Sequence, residues 1–216
     1  MRFKAVIFDM DGTLLDTLEN LAGAMNAVLR KWGFSPHPVE QYRYFVGNGV
    51  EELVRRALPE DARSPERVTE GTAAMRREYA ERWRAGTRAY DGIGELLAAV
   101  RRAGLRTAVL SNKMHDFTQE MARTLFPSPA FDAVLGAREG VPKKPDPAGA
   151  MEIVRRFGLA PGDFFYLGDS GVDMTTARRA GMYPVGVLWG FREAAELVES
   201  GARMLIRRPR DLIDWL

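Results

Sequence analysis

Two aspartates one residue apart, Asp9 and Asp11, follow the apolar run Ala5-Val6-Ile7-Phe8 and are themselves followed by Gly12-Thr13. Two carboxylates held that close repel each other, which costs stability unless a cation or a reaction holds them there. Asp-Gly is also a common turn, but a turn does not need the second aspartate at the end of an apolar run. Further polar groups follow apolar runs later in the chain: Ser111 and Asn112 after Val109-Leu110, and Asp169 and Asp173 after Phe164 to Leu167. Between them lies the pair Lys143-Lys144, directly before Pro145. Carboxylates, a hydroxyl and a lysine together suit phosphoryl transfer. A phosphate monoester carries about two negative charges near neutral pH. Attack on it requires neutralised charge, an in-line nucleophile and an acid for the departing oxygen. One carboxylate can attack, giving an aspartyl phosphate. A second can protonate the leaving group and then activate water. A hydroxyl and backbone N–H groups can hold the transferred oxygens, and a third acidic residue completes an oxygen cage for Mg²⁺.

These groups are far apart in sequence, so the elements between them must bring them together. The run at Ala5 to Phe8 is apolar throughout, the pattern of a strand buried on both faces at the centre of a parallel sheet. Further strands are expected at Arg106 to Leu110, Phe131 to Leu135, Phe164 to Leu167, Val185 to Leu188 and Met204 to Ile206. They alternate with helical patterns such as Ile93, Leu96, Leu97 and Val100, and Met151, Val154 and Phe157. Asp146 and Pro147 are placed as N-cap and first residue of the latter helix. This order argues an α/β fold, a parallel sheet wound on both faces, with ligands outside the carboxyl ends of the strands. Residues 17–85 break the alternation. They read as helix alone, with Leu18 to Trp32 on one face after a cap at Asp16 or Thr17, and with Ser64-Pro65 opening a long helix.

Composition narrows the chemistry. The 216 residues contain no Cys and only His37 and His115, so disulfides, a thiol nucleophile and a histidine metal site find no support. Oxygen ligands, and hence a hard cation, are what the chain offers. A net charge of +2 does not imply nucleic acid. The stretch Arg76, Arg77, Arg82, Arg84 and Arg88, interleaved with Glu78 and Glu81, reads as a solvated helix face. Asp9 and Asp11 interrupt the N-terminal apolar run before it can serve as a signal peptide, and no run is long enough to cross a membrane. A soluble cytoplasmic protein is expected, without nucleic-acid or membrane partners, as a monomer or homodimer.

The four polar stretches in order resemble the motifs of the haloacid dehalogenase superfamily, in its phosphatase branch. The resemblance implies a Rossmann-like core of residues 1–16 and 86–216 and a helical cap of residues 17–85. Residue by residue, it makes Asp9 the nucleophile and a Mg²⁺ ligand, and Asp11 the general acid/base with its backbone carbonyl on the metal. Ser111 and Lys144 would hold the phosphoryl group, Asp169 would bind Mg²⁺, and Thr13 and Asp173 would support the site from behind. Within the superfamily the chain is most similar to phosphoglycolate phosphatases, through Val46-Gly47-Asn48-Gly49, Tyr90-Asp91-Gly92, Ser111-Asn112-Lys113, Ala180-Gly181-Met182 and Val187-Leu188-Trp189-Gly190. Ser-Asn-Lys-Met departs from the Thr-Asn-Lys-Pro common in that group. The resemblance therefore implies a small phosphorylated metabolite as substrate, 2-phosphoglycolate first, with Gly47, Asn48, Asn112 and Lys113 as binding candidates. Arg43, Arg55 and Lys113 are the cations available to a substrate carboxylate. A phosphosugar mutase, a phosphatase for a sugar phosphate or pyrophosphate, and a non-catalytic binding module are the rival readings.

Overall fold

A computed structural model describes residues 3–126 and 130–216. The chain forms two compact units: one runs to Leu15 and resumes at Ala89, and the other is Asp16–Arg88. Strand β1 (Ala5–Phe8) buries all four of its side chains. Beyond it a two-residue strand, β2 (Leu15–Asp16), leads into the second unit.

That unit is helical. Helix α1 (Leu18–Lys31) buries Leu18, Leu21, Met25, Val28 and Leu29 on one face. The expected side-chain cap does not form, because Thr17 occupies the N-cap position but makes no capping bond with its hydroxyl. Helices α2 (Tyr42–Phe45) and α3 (Val50–Ala57) are separated by Gly47 and Gly49, whose φ angles of +117° and +92° lie in the left-handed region open to glycine. In α4 (Pro65–Gly86) the first turn is closed by Ser64, whose Oγ accepts from the Arg67 N–H at 3.2 Å. Glu78, expected on a solvated face, is instead buried, with Lys31 at 2.5 Å and Arg82 at 2.7 Å. It sits three residues after Met75 and five before Trp83, at the edge of the apolar stripe of α4. A second polar tie is Asn26. Its amide donates to the His37 carbonyl at 2.8 Å, and its oxygen accepts from the His37 N–H at 2.9 Å and the Tyr42 hydroxyl at 2.7 Å. These three bonds hold the proline-rich connection between α1 and α2 against α1. The chain leaves the unit through β3 (Arg88–Ala89), which pairs with β2.

The other unit resumes with α5 (Ile93–Arg102), β4 (Arg106–Met114), α6 (His115–Leu125), β5 (Ala133–Ala137) and α7 (Ala148–Phe157). It ends with β6 (Phe164–Gly168), α8 (Gly171–Arg179), β7 (Tyr183–Val187), α9 (Ala194–Glu199) and β8 (Met204–Ile206). The six long-range strands form one sheet in the order β5-β4-β1-β6-β7-β8, and every described pairing between them is parallel. β1 is central, with Ala5 opposite Arg106 on one side and Phe164 on the other. Ile7, Ala108, Leu110, Leu135 and Tyr166 pack with α7 and α8 on one face. Val6, Phe8 and Leu167 alternate with them and are equally buried, so both faces are covered.

β5 and β7 are displaced by one or two residues at each end from the expected Phe131 to Leu135 and Val185 to Leu188, and three other boundaries differ next to a polar group. β4 does not stop at Leu110 but runs to Met114, with a register shift against β5 between Leu110 and Met114. α7 begins one residue late, because Asp146 closes its start by accepting from the Ala148 N–H at 2.8 Å and Pro147 takes the N-cap position. α8 begins at Gly171, only three residues after β6 ends, which puts Asp173 in its first turn. Among the described residues, no helix is long and apolar enough to cross a membrane.

Because Asn26 is buried and satisfies three partners, Asn26→Ala is expected to lower unfolding free energy by about 2 kcal/mol. A denaturant titration should show a lower midpoint with unchanged slope. An unshifted midpoint would refute the assignment of these bonds as the tie of the helical unit.

Candidate active site

The parallel sheet puts the carboxyl ends of β1, β4 and β6 side by side, and the polar groups after them meet there. Asp9 continues the ladder of β1, its N–H donating to the Leu167 carbonyl at 2.9 Å. Lys144, on the segment before α7, places its ammonium 2.8 Å from Asp9 Oδ1 and 2.8 Å from Asp173 Oδ1. All three side chains are essentially out of solvent. The other oxygen of Asp173 accepts from Ser170 Oγ at 2.6 Å and from the Ser170 N–H at 3.2 Å, the reciprocal cap of α8.

Asn112 explains how the lysine is aimed. Its amide nitrogen donates to the Lys144 carbonyl at 2.9 Å, and its oxygen accepts from the Lys144 N–H at 2.8 Å. The side chain thus pairs with the backbone of residue 144 as a neighbouring strand would. The register shift in β4 allows the strand to present Ser111, Asn112 and Lys113 in succession. Ser111 Oγ accepts from the Lys113 N–H at 3.2 Å. The Lys113 ammonium lies 3.0 Å from each oxygen of Asp11, with only 6% and 12% of the two side chains exposed. Lys143, by contrast, is exposed.

Asp169 is held by backbone. Its Oδ2 accepts from the Phe191 N–H at 2.8 Å, and Thr13 Oγ1 reaches its Oδ1 at 3.4 Å. Two chain segments crowd it. A Cβ on Gly12, at φ +85°, would lie 2.3 Å from the Asp169 carboxylate, and one on Gly190 would lie 2.2 Å from Asp169 Cβ. Only glycine fits either position. The indole of Trp189 donates to the Thr13 carbonyl at 3.0 Å, so the loop after β7 grips both Asp169 and the loop after β1.

Asp9, Asp169 and Asp173 each offer a carboxylate oxygen, and these atoms lie within 4.8 Å of one another. Three buried carboxylates meet there, and one lysine pairs with two of them, Asp9 and Asp173. Hard oxygen donors and an excess of negative charge fit a divalent cation of the Mg²⁺ type. Without one, burial first and the Asp173 charge second push the Asp9 carboxyl from 3.8 up to about 7, against the pull of Lys144. Burial, then Asp173 and Asp9, push Asp169 well above the ordinary range. Burial alone would lower Lys144, but Asp173 and Asp9 outweigh it and hold the ammonium charged. Tyr166, on β6, has a fully buried hydroxyl in the electrostatic field of Lys144, Asp173 and Asp9, and burial pushes it well above the ordinary range.

Arg43, Gly47 and Asn48 lie in the helical unit: Arg43 is exposed on α2, and Asn48 Oδ1 accepts from Arg56 Nη2 at 3.0 Å. Sequence reasoning missed Trp189, Gly190 and Phe191 as supports of the site, and it missed Tyr166. A Trp-Gly pair just past a buried strand was the available signal for the first group, since a glycine there marks close backbone approach.

A family profile described as haloacid dehalogenase-like hydrolase matches residues 6–187. The phosphoglycolate phosphatase of Nitrosospira multiformis is 35% identical over 91% of this chain and 88% of its own. The N-acetylmuramic acid 6-phosphate phosphatase of Pseudomonas aeruginosa is 31% identical over 100% of this chain and 96% of its own. A crystal structure from Lactobacillus delbrueckii subsp. bulgaricus, with a provisional phosphoglycolate phosphatase designation, superposes with a TM-score of 0.93 at 32% identity, covering 100% of this chain and 98% of that one.

Asp9 titrates near 7 in the metal-free fold but near 3.8 when unfolded, so the folded state binds the extra proton between those values. The stability this gives is present below pH 4 and is lost as pH rises toward 7, by on the order of 4 kcal/mol. A cation that replaces the proton should therefore raise the melting temperature more at pH 8 than at pH 5. Thermal denaturation with and without Mg²⁺ at both pH values tests this, and a shift of equal size at both would refute it.

Proposed function

The chain belongs to the haloacid dehalogenase-like hydrolase family and is a phosphatase, and we propose that it hydrolyses a small phosphate monoester, 2-phosphoglycolate first, with Mg²⁺ as its metal. The observation that carries the chemistry is the convergence of Asp9, Asp169 and Asp173 at one end of a parallel sheet, with Lys144 between Asp9 and Asp173 and with Asp11 two residues after Asp9. The substrate is proposed from the 35% identical relative, a phosphoglycolate phosphatase. An amino-sugar phosphate is the second reading, from the N-acetylmuramic acid 6-phosphate phosphatase that aligns with the whole chain.

In this reading an Asp9 carboxylate oxygen attacks phosphorus in line with the ester oxygen. The O–P bond to Asp9 forms as the P–O bond to the alcohol breaks, and Asp11 gives its proton to the departing oxygen. Asp11 then takes a proton from water, the water oxygen bonds to phosphorus, and Asp9 leaves as a carboxylate. Ser111 and the Lys144 ammonium hold the transferred oxygens, and Asn112 keeps that ammonium in place through the backbone of residue 144. Asp9, Asp169 and the Asp11 carbonyl would hold Mg²⁺, with Asp173 behind them; when bound, it neutralises charge on the phosphoryl oxygens. The helical unit takes the role of the family's cap, with Arg43, Gly47 and Asn48 as its substrate-facing candidates.

Phosphate release should depend on Mg²⁺ and fall at least about a thousandfold in Asp9→Asn, which removes the nucleophile. Lys144→Met should lose activity on a similar scale. A panel of 2-phosphoglycolate, N-acetylmuramic acid 6-phosphate, hexose phosphates and pyrophosphate identifies the ester. Release that survives Asp9→Asn would refute the nucleophile, and a better ester than 2-phosphoglycolate would replace the proposed substrate.

A further inference from the structure

Resting on the roles just proposed for Asp9 and Asp11, we propose that Lys113 forms an anion subsite for the leaving group and selects esters whose alcohol carries a carboxylate next to the ester oxygen. The ammonium of Lys113 is 3.0 Å from both oxygens of Asp11, so one cation bridges the group that must meet the leaving oxygen. The pair is nearly buried, at 6% and 12% exposure. Exposed ion pairs separate at little cost, whereas a buried one separates at a large cost unless each partner finds a replacement.

To act as the acid, Asp11 must carry a proton on one oxygen, and the bridging ammonium then gives up its contact with that oxygen. A neutral alcohol returns nothing to the ammonium. A carboxylate one carbon from the ester oxygen replaces the lost contact, so the ion pair is exchanged and not broken. The exchange also fixes the orientation of the leaving group, because the ammonium is anchored at both ends of its reach. Its backbone N–H donates to Ser111 Oγ at 3.2 Å, and the preceding residue, Asn112, is locked to the backbone of Lys144. Three consecutive residues of β4 thus serve the phosphoryl group, its lysine and the leaving group.

The other cations named for this task stand differently. Arg55 is 42% exposed and already paired with Glu51 and Glu52, and Arg43 is exposed. Selectivity for an anionic alcohol is on this view built into the sheet edge, independently of what the helical unit contributes.

Two matched pairs of compounds test the subsite. The substrates 2-phosphoglycolate and 2-hydroxyethyl phosphate differ in the carboxylate alone, as do the non-hydrolysable ligands 3-phosphonopropionate and 3-hydroxypropylphosphonate. The wild-type protein with Mg²⁺ is expected to prefer the carboxylate member at least about tenfold, in kcat/KM for the first pair and in calorimetric Kd for the second. Lys113→Met should reduce both ratios to within about twofold, and Lys113→Arg, which keeps the charge, should retain most of the preference. Where the methionine variant does not fold, by its thermal denaturation, Lys113→Gln takes its place. A wild-type ratio near one, or a preference that survives loss of the charge, would overturn the proposal. A purely structural role for Lys113 would weaken both members of each pair alike and leave the ratio unchanged, which also overturns it. Binding preference without Asp9-dependent phosphate release would instead sink the phosphatase mechanism and support the subsite.

Discussion

A single buried ammonium between two buried carboxylates sets the terms for the rest of the active unit. Lys144 at 2.8 Å from both Asp9 and Asp173 is stable only because three charges leave water together. Any looseness would leave one of them unpaired, so the surrounding chain is built to prevent it. Asn112 fixes the backbone that carries the lysine, the reciprocal cap at Ser170 fixes Asp173, and the ladder bond to Leu167 fixes Asp9. The same crowding leaves more negative than positive charge, which is why burial raises both Asp9 and Asp169 and why a divalent cation suits the place.

Close approach of backbone, more than side-chain packing, completes the arrangement. Gly12 and Gly190 bring two loops against Asp169 at distances that leave no room for a Cβ, and Gly168 does the same for Asp173, whose Cβ would be 2.2 Å from any side chain added there. Such sites tolerate little relaxation, since a carboxylate moved by an ångström loses its alignment with its neighbours before the fold loses its core. The parallel sheet permits this crowding, because several strands deliver their ends to one edge whatever the length of chain between them.

Much of this was legible in the sequence for a physical reason. An all-apolar strand followed at once by charged residues is a conflict between burial and solvation, and such conflicts are resolved at sites. That logic placed β1 at the centre of the sheet and marked Asp9, Asp11, Ser111 and Asp169 as residues to follow, whereas Lys144 was singled out by the family resemblance alone. What escaped was geometry carried by neutral or glycine backbone. The continuation of β4 through Asn112 depends on its partner, not on its own pattern. The early start of α8 turns on a serine–aspartate pair that also reads as a loop. Glu78 shows the opposite error: a charge on a helix reads as solvated until the stripe beside it and the lysine on α1 are seen to enclose it. Tyr166 could not be marked at all, because in sequence it is one more aromatic in a buried strand.

The bond from the Trp189 indole to the Thr13 carbonyl has an optical consequence. The other three tryptophans are placed elsewhere: Trp32 and Trp83 lie in the helical unit, each under an arginine, and Trp215 stands exposed in the final turn. Indole emission is sensitive to the hydrogen bond its nitrogen makes, and here that bond ends on the loop that follows the two aspartates. Half-buried Trp189 therefore makes the chain its own fluorophore for that loop. Filling of the site can be followed as a change in light, without a label and without turnover.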